Sequence, residues 1–314
     1  MQRPGHKRKG VRRDIGQSLD GLPRRCGLFF LDSGAHSLYT REVISQHHKH
    51  GYAYFKSKAF WKYVDGYADF LKKYKDGLDF YANVDVIFNP EITWKVQTYL
   101  EDTHGLNPVP IVHYNTPLKW VDKYLSRRTY DLLGVGGLGQ EAQRDDYLKW
   151  ADQLYTHLCK NLRGLPCVKT HGFAMTSHML MIRYPWWSVD SAAWAKAAGV
   201  GNIYVPHKRS GKFVFDIAPY SMGLSHSSTA DGKPGRHFYN LSAMERKIIQ
   251  EWLEVIDLSL GEVDDDGKTV TYGVISEYNA RAIANLRYFE KLCEALPPWP
   301  WVFHAKPAPL EFFA

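Results

Sequence analysis

The sequence has few cysteines and no long apolar segment. Its 314 residues contain four cysteines and no CxxC pair, which argues against a disulfide framework and against a cysteine-based zinc site. No apolar run approaches the roughly 20 residues that cross a bilayer. The charged N-terminus also lacks the apolar stretch of a secretory signal. We therefore expect a cytoplasmic protein with reduced thiols and no membrane partner.

Two catalytic signatures are also missing. The GxSxG elbow of serine hydrolases does not occur, which disfavours serine hydrolysis. The glycine-rich turn GVGGLG at 134–139 is not in the GxGxxG register, and no acidic residue follows at the distance expected for dinucleotide binding. No histidine pair has helical spacing with a third ligand nearby. The sequence predicts neither a cofactor nor a metal site.

Positive charge is concentrated at the N-terminus. Residues 1–25 contain eight Lys or Arg and two Asp, which accounts for most of the formal net charge of +7. Such an arm either contacts a polyanion or is a solvated tail that aids solubility. The segment HHKHGYAYFKSK at 47–58 interleaves basic and aromatic residues and favours nucleic acid as the partner. The arm cations predicted to contact it are Arg8, Lys9, Arg12 and Arg13.

Short β-rich segments alternate with amphipathic helical segments. This alternation predicts a parallel sheet with helices outside, and the chain length favours a closed (β/α)8 barrel of about 250 residues. A doubly wound open sheet is the alternative. The six clear strands are predicted at 27–34, 78–88, 109–115, 130–139, 167–174 and 186–191, with two further candidates at 202–207 and 212–218. The helices between them are predicted at 58–74, 89–105, 117–128 and 143–164.

The alternating pattern ends after residue 218. Residues 219–240 are polar and rich in Gly and Ser, and they predict a loop. Residues 241–261 and 276–296 predict two helices separated by an acidic turn. We therefore expect a basic arm over 1–25 and a single domain over 26–314 that includes the C-terminal helices.

Asp190 lies in the stretch YPWWSVDSAAW, where a carboxylate interrupts aromatic and small residues. One interpretation is a helix N-cap, because Asp190 and Ser191 precede an alanine-rich helix that ends at Gly199. The other is catalysis, because polar residues and glycines recur at the ends of the other predicted strands, where a parallel barrel has its active site. These residues are Asp32, Ser33, Asp85, His113, Gly136, Gly137 and His171.

The strand-end motifs, taken in order, resemble a known enzyme family. LDSGAHS resembles the DSGG motif of the tRNA-guanine transglycosylases, VGGLG resembles their GGL turn, and SVDSAAW resembles the strand end that carries their nucleophilic aspartate. The segments YANVDVI, PVPIVHY, LLGVGG, THGFA and YPWWSVDSAAW look closer still to the phage and bacterial branch that inserts 7-deazaguanines into DNA. The resemblance covers roughly residues 27–205.

This resemblance implies a reaction and a role for each matching residue. Guanine in DNA would be exchanged for a free 7-deazaguanine through a covalent aspartyl-glycosyl intermediate. Asp190 would attack C1′ of the deoxyguanosine, and Asp32 would be the general acid/base. Asp85 would accept hydrogen bonds from N1 and the exocyclic amine of the purine. The remaining substrate contacts would be Ser33, His113, Gly136, Gly137 and His171.

Three alternatives remain open. The first is a tRNA substrate, although the CxCxxC…His zinc module of the tRNA enzymes is missing, since only Cys293 follows the nucleophile strand. The second is a nucleoside or glycoside hydrolase that uses the same two aspartates with water as the acceptor. The third is a non-catalytic binding protein, against which the retention of Asp32 and Asp190 argues.

Overall fold

The computed structural model describes five segments of the chain, which divide into two units after Pro110. The arm over 1–25 lies outside the described residues, and so does the first part of the segment 47–58. The single domain over 26–314 stays a prediction. The described residues are 28–44, 51–137, 144–227, 237–264 and 266–305.

The unit that ends at Pro110 combines two short parallel strands with helices. Strand β1 (Phe30–Leu31) pairs in parallel with β2 (Phe80–Tyr81), and Ala82 forms one further parallel bridge with Val109. The α-helices of this unit are α1 (Ala35–Tyr39), α2 (Lys58–Tyr74) and α3 (Pro90–Asp102). A π-helical turn spans Thr40–Ile44, and 3-10 turns span Gly51–Lys56 and Lys75–Gly77.

Local side-chain caps explain why α2 and α3 begin where the sequence predicts. Ser57 Oγ accepts the backbone N–H of Phe60, and Asn89 Oδ1 accepts the N–H of Ile92 at 3.0 Å. Pro90 is the first residue of α3, where its missing N–H costs nothing. One face of α2 buries five side chains at helical spacing, and burial of each large apolar one stabilises the fold by about 1.5–3 kcal/mol. They are Phe60, Val64, Tyr67, Ala68 and Leu71.

The unit that starts at Ile111 contains a four-stranded parallel sheet in which each strand lies beside its successor in the chain. Strands and helices alternate, as the sequence predicts. The strands are β3 (Ile111–His113), β4 (Leu132–Gly136), β5 (Lys169–Gly172) and β6 (Ser188–Val189). The helices are α4 (Lys119–Arg127), α5 (Arg144–Cys159), α6 (His178–Arg183) and α7 (Ala193–Gly199).

The two further strand candidates pair antiparallel and do not extend this sheet. Strand β8 (His207–Arg209) and strand β9 (Lys212–Val214) form a hairpin around Ser210 and Gly211, both with positive φ. A two-residue turn of this kind suits a hairpin, whereas a parallel neighbour needs a crossover of a dozen or more residues. Strand β7 (Asn202–Val205) pairs antiparallel with a later strand.

The described residues after 218 contain more regular structure than the sequence predicts. Strand β10 (Tyr220–Gly223), the partner of β7, lies inside the predicted loop, and its pairing with a distant strand leaves no local sequence pattern. The predicted acidic turn contains a second hairpin, β11 (Glu262–Val263) with β12 (Thr269–Thr271). The two C-terminal helices are confirmed as α8 (Ala243–Val255) and α9 (Tyr278–Ala295).

The chain is therefore a mixed α/β protein with parallel sheet segments. Within the five described segments the strands form sheets of two or four strands, and no closed barrel is present among them. The barrel stays a prediction. Across the same segments, none of the helices has the length and apolarity to span a membrane.

Candidate active site

Five predicted site residues lie at one edge of the four-stranded sheet, because the carboxyl ends of parallel strands meet there. His113 ends β3 opposite Gly136 of β4, and Gly137 follows directly. His171 of β5 lies opposite Ser188 of β6, and Asp190 follows β6. The structure thus brings together His113, Gly136, Gly137, His171 and Asp190.

Asp190 is held by the segment that follows β5. Its Oδ1 accepts the backbone N–H of Ala174 at 2.8 Å, and its own N–H donates to the carbonyl of Gly172 at 3.1 Å. Its carbonyl accepts the N–H of Met175 at 2.7 Å. Three hydrogen bonds therefore fix the residue, while its side chain remains 61% exposed to solvent.

These contacts test the interpretation of Asp190 as the N-cap of α7. The N-cap residue of α7 is Ala192, which makes no side-chain cap hydrogen bond. Ser191 Oγ instead accepts the N–H of Ala193 at 2.9 Å, so it serves the start of that helix. The Asp190 carboxylate bonds Ala174, on a different loop. Asp190 is therefore not the cap of α7.

The surroundings of Asp190 favour its charged form. Partial burial acts to raise the pKa of the carboxyl, but the His171 side chain and the Ala174 N–H outweigh it and lower the pKa below its ordinary value. Asp190 is therefore ionised at neutral pH. An exposed, ionised and fixed carboxylate is suited to attack an electrophilic carbon.

Both ring nitrogens of His171 face protein groups. Nδ1 lies 2.8 Å from Ser188 Oγ on β6, and Nε2 lies 3.6 Å from Asp190 Oδ1. The ring packs edge-on against Phe173, with 4.5 Å between the ring centroids. His171 is only 6% exposed. The sequence predicts a substrate contact for His171, and that role stays a prediction.

Gly136 and Gly137 pack against the ring of His113. A Cβ on Gly136 would lie 3.2 Å from His113 Cδ2, and one on Gly137 would lie 3.3 Å from His113 Cβ. Gly137 also has a φ of 74°, in the left-handed region that favours glycine. The buried imidazole of His113 is thus a second reason for the two glycines, besides the close approach of a flat base that the family resemblance implies.

The other predicted site residues belong to the unit that ends at Pro110. Asp32 follows β1, is exposed, and its Oδ1 accepts the N–H of Ser33 at 2.7 Å. Ser33 is buried, and its Oγ accepts the N–H of Ala35 at the start of α1. Asp32 therefore shapes the turn before α1.

Asp85 lies in the loop after β2 and is 8% exposed. Thr93 of α3 fixes this loop, since its Oγ1 accepts the N–H of Val86 at 2.9 Å and its single hydroxyl proton is shared between the carbonyls of Asn89, at 2.9 Å, and Val86, at 3.2 Å. The buried Asp85 therefore has a defined position on a pinned loop.

Two tyrosines of α2 pin the strand ends that carry these aspartates. Tyr63 donates to the Ser33 carbonyl at 2.6 Å, and Tyr67 donates to the Ala82 carbonyl at 2.8 Å. Burial raises the pKa of Tyr67 well above its ordinary value, and the negative charges of Asp32 and Asp85 add to the shift. Tyr67 therefore stays protonated and keeps its hydrogen bond.

The aromatic residues of the basic segment 47–58 do not form an open stacking surface where the structure describes them. Phe55 is 1% exposed, and Tyr52 and Tyr54 pack against the same core. Tyr52 donates to the carbonyl of Ile87 at 3.0 Å. The ring of Phe55 is therefore already used by the core, and the nucleic-acid partner of this segment stays a prediction.

The unit that starts at Ile111 has a surface cavity of about 620 Å³. The β8–β9 hairpin and α8 form most of its walls, with Phe213, Phe215 and Trp252 among the lining residues. None of the residues predicted to bind substrate lines it. We therefore base the active-site hypothesis on the strand ends and not on this cavity.

The described part of the chain contains no group of three His, Cys, Asp or Glu arranged to hold a metal ion. Cys159, Cys167 and Cys293 are free thiols. Burial raises the pKa of Cys159 to about 12, so this thiol is unreactive at neutral pH.

Sequence reasoning missed Ala174 and Ser188, which contact Asp190 and His171, and, in the other unit, Tyr67, which contacts the carbonyl of Ala82. Ala174 contributes a backbone N–H, which no side-chain motif reveals, although its φ of 54° marks an unusual turn. Ser188 lies two residues before Asp190 in the quoted stretch, on the same side of the strand by alternation, and this spacing was a usable signal.

Comparisons of this chain with protein families, with curated proteins and with solved structures find no match.

Proposed function

We propose that this protein exchanges guanine in DNA for a free 7-deazaguanine, with Asp190 as the nucleophile. The observation that supports it is the state of Asp190, which is exposed, ionised and fixed by the Ala174 N–H without capping α7. In the first step Asp190 bonds to C1′ of the deoxyguanosine while the bond from C1′ to N9 breaks. The departing guanine takes the bond electrons and a proton, and the incoming base later reverses the sequence.

Asp32 and Asp85 keep the roles that the family resemblance implies. Asp32 donates the proton to the departing base and accepts one from the incoming base, and its carboxylate is exposed to the solvent with which it exchanges protons. Asp85 accepts hydrogen bonds from the purine edge, which suits a buried carboxylate on a pinned loop. Single substitutions of Asp32 and of Asp85 test the two roles separately.

We further propose that the parallel strands belong to an irregular (β/α)8 barrel with extra C-terminal helices. In the four-stranded sheet each strand lies beside its successor in the chain. A doubly wound sheet reverses its order at a switch point, and β3 to β6 contain no reversal. Sequential order therefore supports the barrel over the doubly wound alternative.

The decisive experiment supplies a radiolabelled 7-deazaguanine with DNA in one reaction and with tRNA in a parallel one. We expect label in DNA and an enzyme–DNA adduct that survives denaturing gel electrophoresis. Asp190→Asn should lose both, by several orders of magnitude, because a neutral amide cannot form the glycosyl ester. Asp32→Asn should slow exchange by about 10²–10⁴-fold.

Asp122→Asn is the matched control, because Asp122 is an exposed carboxylate of α4 that bonds His157. It should exchange at the wild-type rate. Label in tRNA alone would favour the tRNA alternative, and guanine release without incorporation would favour a hydrolase. An Asp190→Asn protein that exchanges normally would refute the nucleophile assignment.

A further inference from the structure

His171 links β6 to the carboxylate of Asp190. Its Nδ1 is 2.8 Å from Ser188 Oγ, and its Nε2 is 3.6 Å from Asp190 Oδ1. A hydroxyl that donates to Nδ1 leaves the proton of a neutral imidazole on Nε2, where it faces the carboxylate. Separations slightly longer than a hydrogen bond are common in ligand-free enzymes and shorten in the reacting complex.

The two oxygens of Asp190 are therefore not equivalent. The Ala174 N–H donates to Oδ1, and the same oxygen faces His171 Nε2. Both donors converge on one oxygen, so the other is the better nucleophile. This distinction rests on the geometry of β5, β6 and the segment between Gly172 and Met175.

We propose that His171 is a positioning residue for Asp190, in which Ser188 orients the ring so that Nε2–H binds Oδ1 and Oδ2 attacks C1′. The proposal rests on the proposed function for the identity of the electrophile. When the bond from C1′ to Oδ2 forms, Oδ1 becomes the ester carbonyl oxygen and keeps both donors. When the incoming base displaces Asp190, the bond electrons return to the carboxylate, and the same donors stabilise its charge. His171 gains and loses no proton in this cycle.

Among the described residues, His171 is the ionisable side chain whose contact lowers the pKa of Asp190. On α6, Arg183 is paired with Asp152, and His178 bonds the carbonyl of Phe215. Lys196 on α7 is exposed. A change in the titration of Asp190 on substitution of His171 is therefore attributable to the contact between these two side chains.

Two substitutions of His171 distinguish the loss of the hydrogen-bond donor at Nε2 from the loss of the volume of the ring. His171→Gln can place an amide N–H near the position of Nε2, whereas His171→Asn reaches only the position of Nδ1. We expect Asn to reduce kcat for exchange by about 10- to 100-fold, the usual effect of losing a hydrogen bond to a charged group, with KM unchanged. Gln should restore most of the rate. If kcat is unchanged and kcat/KM falls because KM rises, His171 is instead a substrate contact and the proposal is overturned.

A titration without substrate tests the interaction of His171 with Asp190 independently of the reaction. The carboxyl carbon of Asp190, identified by its absence from spectra of Asp190→Asn, should titrate at higher pH in His171→Asn than in the wild type. Ser188→Ala should shift it in the same direction by less, and His178→Asn is the matched control that should not shift it. Unchanged titration in both His171→Asn and Ser188→Ala would refute the proposal. If the titration of Asp190 shifts in His171→Asn but the wild-type protein exchanges no base, the interaction of His171 with Asp190 is supported and only the proposed function is refuted.

Discussion

At the scale of single residues, the ends of β5 and β6 are closely packed around Asp190. Gly172 lies between the Met175 side chain and Val189, where a Cβ would come within 2.8 Å of Met175 Cβ and 3.2 Å of Val189 Cγ1. The backbone carbonyl of Gly172 also accepts the N–H of Asp190. Glycine at this position therefore allows the close packing that places the carbonyl against the N–H of Asp190.

Gly172→Ala should lower the free energy of unfolding by about 1–3 kcal/mol, because the added methyl group overpacks this strand end. It should also reduce formation of the enzyme–DNA adduct, since the carbonyl that anchors Asp190 must shift. Denaturant unfolding and the gel assay measure the two effects.

Gly66→Ala is the matched control for Gly172→Ala. Gly66 lies in α2, is exposed, and has no atom within 4 Å of the position of a Cβ. This substitution should stabilise the protein by about 0.5–1 kcal/mol, because alanine loses less backbone freedom in a helix. If both alanine variants have the same unfolding free energy as the wild type, packing at Gly172 does not constrain the site.

At the scale of elements, helix starts follow local side-chain chemistry. Helix α8 begins with a capping box, in which Ser242 Oγ accepts the N–H of Glu245, and the Glu245 carboxylate accepts the N–H of Ser242 at 2.8 Å. The hydrogen bonds from Ser242 lower the pKa of Glu245 below its ordinary value. The box is visible in the sequence as Ser followed three residues later by Glu.

Ser242→Ala should lower the free energy of unfolding by about 1 kcal/mol, because one N–H at the start of α8 loses its acceptor. Ser177→Ala provides the comparison, since Ser177 is the N-cap residue of α6 but makes no side-chain cap hydrogen bond. It should change stability little. Chemical denaturation of both variants checks this, and an equal loss would mean that the serine at α8 acts through something other than its cap.

At the scale of the whole molecule, the formal net charge of +7 is concentrated in residues 1–25. Polyanion binding through such an arm depends on salt, because each phosphate contact releases a counterion. The structure does not describe this arm, so its role stays a prediction from the sequence.

Deleting residues 1–13 removes six cations and should weaken DNA binding and flatten its dependence on salt, by about 0.9 in logarithmic slope for each phosphate that the arm neutralises. Binding measured with Asp190→Asn across a range of salt concentrations avoids any contribution from adduct formation. A slope equal to that of the full-length chain would argue that the arm is a solvated tail. The removed cations are Arg3, Lys7, Arg8, Lys9, Arg12 and Arg13.

The sequence by itself determined the elements that local chemistry encodes. Helix α2 spans Lys58–Tyr74, the range predicted from its apolar spacing, and the six predicted parallel strands all occur within their segments. Strand ends carrying Asp190, His171 and His113 were likewise predictable, because β-rich segments that end in polar residues are visible along the chain.

Only the tertiary structure decided the contacts between residues far apart in the chain. The pairing of β7 with β10 joins segments with no shared local pattern, so residues 219–240 were wrongly predicted to be loop throughout. One interpretation of the sequence gave the Asp190 carboxylate a local partner at the start of α7, and the fold instead supplies the N–H of Ala174, sixteen residues away. Sequence patterns report the preferences of neighbouring residues, whereas the partner of a carboxylate is set by which backbone donors the packing brings within reach.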